Sequence, residues 1–172
     1  GSSDRLGRSL LVVTTSGSAW GATWCSAAEL ARLILCLCSL PRRDAKDSGG
    51  TVGVDARKQP PAAALFPALR SAQSVSPGCV HTVLLLAEKE LVTHREKLPG
   101  VQVETLASLK ALGRYVDSSQ LPQELDGTFP YCHGEWVQFF QVSVITLLRR
   151  ASELLQSCIQ ELRSTDALAG TQ

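Results

Sequence analysis

The stretch Cys79–Leu86 reads CVHTVLLL, and it decides the fold. Its valine, threonine and leucine side chains suit a pleated surface. It is almost continuously apolar and gives the strongest strand signal in the chain. The turn residues Ser76-Pro77-Gly78 precede it and set its start. A buried strand at Cys79–Leu86 is therefore the first expectation.

Three further segments have strand character. Ser9–Thr15 (SLLVVTT) and Thr51–Ala56 (TVGVDA) are short and mostly apolar, and Val101–Thr105 alternates apolar and polar residues. Helical patterns separate these strands along the chain. Strands that alternate with helices predict an α/β layered fold, with a mainly parallel sheet flanked by helices.

The helix between the first two strands has the clearest boundaries. Ser26 and Glu29 have the spacing of a capping box, and Pro41 ends the apolar pattern that follows. Further helical patterns cover Ala62–Gln73, Ala87–Lys97 and Ser108–Val116.

From about Gly134 the pattern becomes that of one long amphipathic helix. Apolar residues recur every three or four positions, and at 1.5 Å per residue the helix would reach roughly 40 Å. Two interpretations are open: the helix packs across its own sheet, or it leaves the domain to meet a partner. The residues assigned to a partner-binding face are Trp136, Phe140, Leu147, Leu154 and Leu162.

Composition and charge exclude several classes of protein. Hydrophobic residues make up 44% of the 172 residues and charged residues 19%, as in one globular domain. The net charge of +1 gives no overall attraction to nucleic acid, so no nucleic-acid partner is expected. Most cysteines lie in apolar runs and asparagine is absent, which favours a reducing, cytoplasmic setting. No apolar stretch approaches the roughly 20 residues that span a bilayer.

No motif for catalysis, nucleotide binding or metal binding is present. The chain contains neither a phosphate-binding glycine loop nor a GxSxG turn, and its cysteines and histidines lack zinc-ligand spacing. Catalytic residues, metals and cofactors are therefore not predicted. His81 lies within an apolar strand and is interpreted as a satisfied core histidine. Asp55, close to Arg57 and Lys58, is interpreted as an ion pair or turn cap at the end of a strand.

Two arginine pairs are candidates for binding a lipid headgroup. A phosphoinositide could be held where two small basic groups meet in space. An ordinary solvated surface is the competing interpretation, because acidic residues neighbour each group. The candidate residues are Arg42, Arg43, Arg149 and Arg150.

The stretch Tyr115–Trp136 (YVDSSQLPQELDGTFPYCHGEW) joins a leucine-proline loop, a glycine turn and an aromatic cluster. His133 is expected to pin this loop by hydrogen bonding to the backbone. The residues assigned to the structural loop are Leu121, Pro122, Gly127, Tyr131, His133 and Trp136.

This loop, with the residues SLKALGR before it, resembles part of a CRAL-TRIO domain of Dbl-family Rho guanine-nucleotide exchange factors. The same resemblance holds for the earlier segments LLVVTT, CSAAELARLILCLCSLPR, TVGVDARKQPP and FPALRSAQSVSPGCVHTVLLL. The likeness covers about Arg8 to Phe140 and points to the puratrophin/Solo-like branch. The resemblance implies a CRAL-TRIO-like fold and a non-catalytic regulatory module of an exchange factor, cytoplasmic and associated with membrane or cytoskeleton. Phosphoinositide or lipid binding and autoinhibition are further implied roles.

The resemblance also implies partners and a division of the chain. Expected partners are other domains of the parent exchange factor or a cytoskeletal protein, with a homodimer and a phosphoinositide as alternatives. A closed lipid cavity is not expected, because few residues precede the first strand. The expected parts are residues 1–7 as a vector-derived or disordered lead, 8–133 as the CRAL-TRIO-like domain, 134–164 as the long helix and 165–172 as a disordered tail.

Overall fold

The structure is a computed structural model that describes residues 2–22, 25–39, 49–88 and 97–170. Within these ranges a parallel sheet has the strand order β1-β2-β3-β4. The strands are β1 (Leu10–Thr14), β2 (Gly50–Asp55), β3 (Val80–Leu86) and β4 (Gln102–Leu106). The helices are α1 (Ala27–Ser39), α2 (Leu65–Val75), α3 (Leu109–Leu112) and α4 (His133–Ala169).

All three strand pairs are parallel. Leu10 lies opposite Thr51, and Thr82 lies opposite Gln102. β2 and β3 occupy the centre of the sheet, and six of the seven β3 residues are buried, which explains the continuous apolar run in the sequence. The predicted α/β fold, with its mainly parallel sheet, flanking helices and long C-terminal helix, is confirmed.

Each face of the sheet has its own apolar core. On the first face, α1 and α2 pack against β2 and β3; Ile34, Leu65 and Leu69 are among the buried residues. On the second face, the segment that follows β4 supplies the cover. The residues of that second core are Leu10, Leu84, Leu86, Leu106, Leu112, Val116, Leu121 and Leu125.

The capping box predicted ahead of α1 is present in part. The Glu29 amide donates to Ser26 Oγ at 3.2 Å, and the Glu29 carboxylate pairs with Arg32. Capping also explains where α3 begins, because the Ser108 hydroxyl, one residue before the helix, accepts from the Ala111 amide at 3.2 Å. α3 ends at Leu112, earlier than the predicted Val116. Most of the helix expected at Ala87–Lys97 lies outside the described residues.

The N-terminal segment differs from the expected disordered lead. Asp4 is 9% exposed, and its carboxylate accepts from the Arg8 amide at 2.8 Å and from the Thr51 hydroxyl at 2.8 Å. The Arg5 amide donates to the Tyr115 carbonyl at 2.9 Å. This segment is held by polar contacts and not by an apolar face. Its sequence therefore has no hydrophobic periodicity, and the sequence analysis did not predict that it is ordered.

The chain divides into two compact units, Gly1–Pro130 and Tyr131–Gln172. The first holds the sheet and its two cores. The second consists of α4, which has 37 residues and a length of about 55 Å at 1.5 Å per residue. α4 continues to Ala169, so residues 165–169 are helical where a disordered tail was expected. In the part of the chain that the structure describes, no helix combines the length and apolar character needed to cross a bilayer.

Candidate interaction surface

Helix α4 exposes large apolar side chains along much of its length. Leu148 is 65% exposed and Leu155 is 63% exposed, although leucine is among the residues most often buried in folded proteins. Other exposed apolar residues on α4 are Trp136, Phe139, Val142, Ile145, Leu154, Ile159, Leu162 and Leu168. Large exposed apolar patches mark sites of protein or membrane contact, so the distribution of these residues around the helix axis decides where such a site lies.

Apolar residues between Val144 and Leu162 of α4 follow a heptad pattern. Val144, Leu148, Ala151, Leu155, Cys158 and Leu162 are spaced alternately by four and three residues, as in the seam of a helical bundle. We define the α4 stripe as Leu147, Leu148, Ala151, Leu154, Leu155, Cys158, Ile159 and Leu162. At 100° per residue it covers about 140° of the helix circumference. A two-stranded seam is narrower, so the width favours contact with more than one helix.

The predicted partner-binding residues divide between two parts of α4. Leu147, half-buried, and the exposed Leu154 and Leu162 lie in the α4 stripe. Trp136 and Phe140 lie two turns or more earlier, where their rings stack with centroids 5.3 Å apart. The sequence analysis missed Leu148, Leu155 and Ile159; a test for a 3.5-residue period would have found Leu148 and Leu155.

An aromatic cluster precedes the α4 stripe. Tyr131 Oη and His133 Nδ1 form a hydrogen bond of 2.9 Å, and the His133 ring stacks on Trp136 with centroids 6.5 Å apart. The partner shown for the His133 ring is therefore a side-chain hydroxyl, whereas the sequence analysis expected a backbone group. Tyr131 is 59% exposed, so this cluster also faces solvent.

The leucine-proline loop is a compact backbone turn. The Gly127 amide donates to the Pro122 carbonyl at 3.0 Å, and the Phe129 amide donates to the Leu121 carbonyl at 3.0 Å. A Cβ atom at Gly127 would collide with the Leu121 carbonyl group, so the turn has room only for glycine there. Asp126 adopts φ 55°, the left-handed conformation that aspartate tolerates. Leu121 is 4% exposed and anchors the loop in the second core.

An ion pair ties the carboxyl end of β2 to this loop. Arg57 Nε and Nη2 donate to the two Asp55 carboxylate oxygens at 2.9 and 3.0 Å. Arg57 Nη2 also donates to the Glu124 carbonyl at 3.0 Å. The hydrogen bond from Arg57 lowers the pKa of Asp55, and the same bond raises the pKa of Arg57. The ion pair predicted at the end of this strand is confirmed.

A second polar cluster lies near the amino ends of β1 and β3, whereas the Asp55–Arg57 pair lies at the carboxyl end of β2. Arg8 Nη2 donates to His81 Nε2 at 3.3 Å, and His81 Nδ1 lies 2.7 Å from Thr82 Oγ1. The guanidinium of Arg8 also pairs with Asp4 at 3.6 Å. His81 is therefore hydrogen-bonded within the fold, as predicted, but it is half-buried and belongs to neither apolar core.

The candidate headgroup residues are not shown together. Arg149 and Arg150 are exposed on α4, whereas Arg42 and Arg43 lie outside the described residues. Over the second face of the sheet, a cavity of about 10 Å³ is lined mainly by apolar residues, and Gly53 and Asp55 are also part of its lining. That volume holds roughly one water molecule and no lipid chain. Residues 2–22, 25–39, 49–88 and 97–170 contain no cluster of three or more metal-ligating side chains.

Comparison with known proteins identifies homologues. The chain is 47% identical to human "Uncharacterized protein KIAA1755" over 174 aligned residues, which cover 100% of this chain. It is 43% identical to human "Pleckstrin homology domain-containing family G member 4B" over 141 residues, or 82% of the chain. Human puratrophin-1 is 38% identical over 158 residues, or 92% of the chain.

A shorter similarity links the chain to a protein whose name states an activity. Human "Guanine nucleotide exchange factor DBS" is 35% identical over 68 residues, or 38% of the chain. No family model matches the sequence. The chain spans 14% of the length of KIAA1755, 9% of family G member 4B and 12% of puratrophin-1.

Proposed function

We propose that the chain is a non-catalytic regulatory and protein-interaction module of a Rho guanine-nucleotide exchange factor, with a CRAL-TRIO-like α/β domain. The similarity to the exchange factor DBS supports the class of parent protein. The similarity to puratrophin-1 over 92% of the chain agrees with the branch that the sequence resembles. The observation that carries the interaction role is the exposed α4 stripe.

The α4 stripe offers a favourable free energy of association. Fully burying one leucine side chain contributes about 1.5–3 kcal/mol. Because Leu148, Leu154 and Leu155 are 63–67% exposed, most of that contribution is still available to a partner. Association also orders side chains, which costs entropy. The net contribution of the stripe is therefore the free energy of apolar burial minus this cost.

The polar groups of the α/β domain support a scaffolding role. Asp55 is held by Arg57, and His81 is held by Arg8 and Thr82. Side chains engaged in this way position loops and strands, whereas a general base needs a free lone pair directed at a substrate. We therefore assign the sheet the role of a platform without catalysis.

The proposed partners are helices of other domains in the parent exchange factor, or a helical cytoskeletal protein. Contact with the parent's own domains would restrain exchange activity, which is autoinhibition. The proposed location is the cytoplasm, with attachment to the cytoskeleton or the membrane through the partner. Self-association through the same stripe is the alternative outcome of the test.

Charge substitutions on two sides of α4 test the proposal. Leu155→Glu places a carboxylate inside the stripe, and Gln156→Glu places the same charge on the polar side as a matched control. In a calorimetric titration, the second component is the remainder of the proposed parent exchange factor, called here the longer protein. The unmodified chain and Gln156→Glu should both bind it. Leu155→Glu should weaken binding by about tenfold or more, because the interface would bury an unpaired charge.

Sedimentation of the chain alone distinguishes a homodimer. A monomer that binds the remainder of the longer protein supports the regulatory assignment, and a dimer broken by Leu155→Glu supports self-association. A monomer without affinity for that remainder, or equal effects of both substitutions, would refute the role of the α4 stripe.

A further inference from the structure

We propose that Ser152 on α4 accepts phosphate from an arginine-directed serine kinase, and that this phosphate blocks docking of the α4 stripe. Ser152 lies in the sequence Leu148-Arg149-Arg150-Ala151-Ser152. Arginines therefore precede the hydroxyl by three and two residues. The effect on docking rests on the proposed function, whereas the modification itself does not.

Recognition of this segment would be electrostatic. An acidic groove on a kinase can hold two guanidinium groups by charge-assisted hydrogen bonds. This contact places the serine hydroxyl next to the γ-phosphate of the bound ATP. Arg149 and Arg150 are both exposed, and none of the ion pairs in the described residues uses either side chain. This arrangement gives the arginine pair a role that needs no lipid.

The Ser152 hydroxyl is accessible and makes no hydrogen bond within the described part of the chain. Ser157 and Thr165 differ, because their hydroxyls donate to the Glu153 and Glu161 carbonyls at 3.1 and 3.0 Å. A kinase binds its substrate in an extended form, so α4 must open locally around Ser152. Every residue from Leu148 to Gly170 is exposed, so this opening breaks helical hydrogen bonds and few packing contacts.

The reaction transfers one phosphoryl group from magnesium ATP. Ser152 Oγ attacks the γ-phosphorus, and the bond from that phosphorus to the oxygen bridging to the β-phosphate breaks. ADP is the leaving group, and the hydroxyl proton passes to a carboxylate base of the kinase. No oxidant or reductant takes part.

The position of Ser152 explains the effect on docking. Ser152 lies midway between Ile145 and Ile159 in the sequence, seven residues from each. Because seven residues turn the helix by almost two full turns, Ser152 and Ile159 differ by only about 20° in angular position around the helix axis. A phosphate here adds a charge of about −1.5 to −2 at the edge of the α4 stripe. A helix packed on the stripe would have to remove water from that charge, which strongly opposes association.

The first measurement uses this chain, magnesium ATP and the purified catalytic subunit of cyclic-AMP-dependent protein kinase as the arginine-directed probe. Mass spectrometry should locate one phosphate at Ser152. Ser152→Ala should abolish its incorporation, and Ser157→Ala should leave the rate unchanged. Replacing Arg149 and Arg150 together by glutamine should lower the initial rate by about tenfold or more, since two charge-assisted contacts are lost. Absence of phosphate at Ser152, or a rate unaffected by the double glutamine variant, would overturn the site.

The second measurement compares binding of the phosphorylated and unmodified chains to the remainder of the longer protein. A loss of affinity of about tenfold or more on phosphorylation supports the switch. Equal affinities would overturn the switch while leaving the modification site intact. Binding by neither form, together with phosphate at Ser152, would instead refute the proposed function of the stripe.

Discussion

At the scale of single residues, Gly127 and Gly53 are glycines for different reasons. Gly127 lies in the leucine-proline turn, where any side chain would meet the Leu121 carbonyl group. Gly53 lies within β2, where an added Cβ would be 3.9 Å from Leu10 Cδ1, an ordinary contact. The first glycine is required by close approach of the backbone, and the second is not.

This contrast predicts opposite effects on stability. Gly127→Ala should lower the free energy of unfolding by about 2 kcal/mol or more, because the turn must move away from Leu121. Gly53→Ala, the matched control, should raise it by up to about 1 kcal/mol, since glycine weakens a strand interior. Urea unfolding of the three proteins gives the comparison, and a Gly127→Ala variant as stable as Gly53→Ala would disprove this account of the turn.

Asp55 gives a prediction about pH. Hydrogen bonding from Arg57 lowers the pKa of Asp55 in the folded state, so the carboxylate stabilises the fold at neutral pH. That stabilisation is lost as the pH falls below about 4, the ordinary range for aspartate, and through the lower pKa of the folded state. Asp55→Asn and Arg57→Gln should therefore each show a smaller loss of unfolding free energy between pH 7 and acid than the unmodified chain. A pH dependence unchanged in both variants would contradict the ion pair.

At the scale of elements, strand and helix patterns predicted the sheet well. The apolar run at Cys79–Leu86 became β3, and the Ser26 cap marks the start of α1. These features are local: a strand buried on both faces and a capped helix each leave a signature in neighbouring residues. The N-terminal segment left none, because Asp4 is fixed by Thr51, which is distant in sequence.

The N-terminal segment should contribute measurably to stability. Asp4→Ala removes a buried carboxylate that accepts from Thr51 and two backbone amides, so it should lower the unfolding free energy by about 2–4 kcal/mol. Asp117→Ala breaks the exposed pair with Arg5, whose atoms are 3.3 Å apart, and the bond from the Ser119 amide, and it should lower the unfolding free energy clearly less than Asp4→Ala because both interactions are solvated. Thermal or urea unfolding provides the measurement. Equal effects of the two substitutions would mean that the segment is not anchored through Asp4.

At the scale of the whole molecule, the sequence indicated a long C-terminal helix but placed its apolar face imperfectly. Helical spacing of three and four residues allowed several faces, and the exposure of Leu148, Leu155 and Ile159 shows which of these faces belongs to the α4 stripe. The headgroup interpretation depended on two basic groups meeting in space, which a linear sequence does not specify. Contacts between distant segments limit such predictions, because they depend on the complete fold.

The account as a whole depends on the α4 stripe being covered in the longer protein. Hydrogen exchange followed by mass spectrometry measures this directly, because amides in a helix packed on a partner open rarely. Amides of Leu147–Leu162 should exchange about tenfold or more slowly in the longer protein than in this chain alone, while those of β2 and β3 should be equally protected in both. Equal and fast exchange of Leu147–Leu162 in the two proteins would contradict the assignment of α4 as an interaction surface.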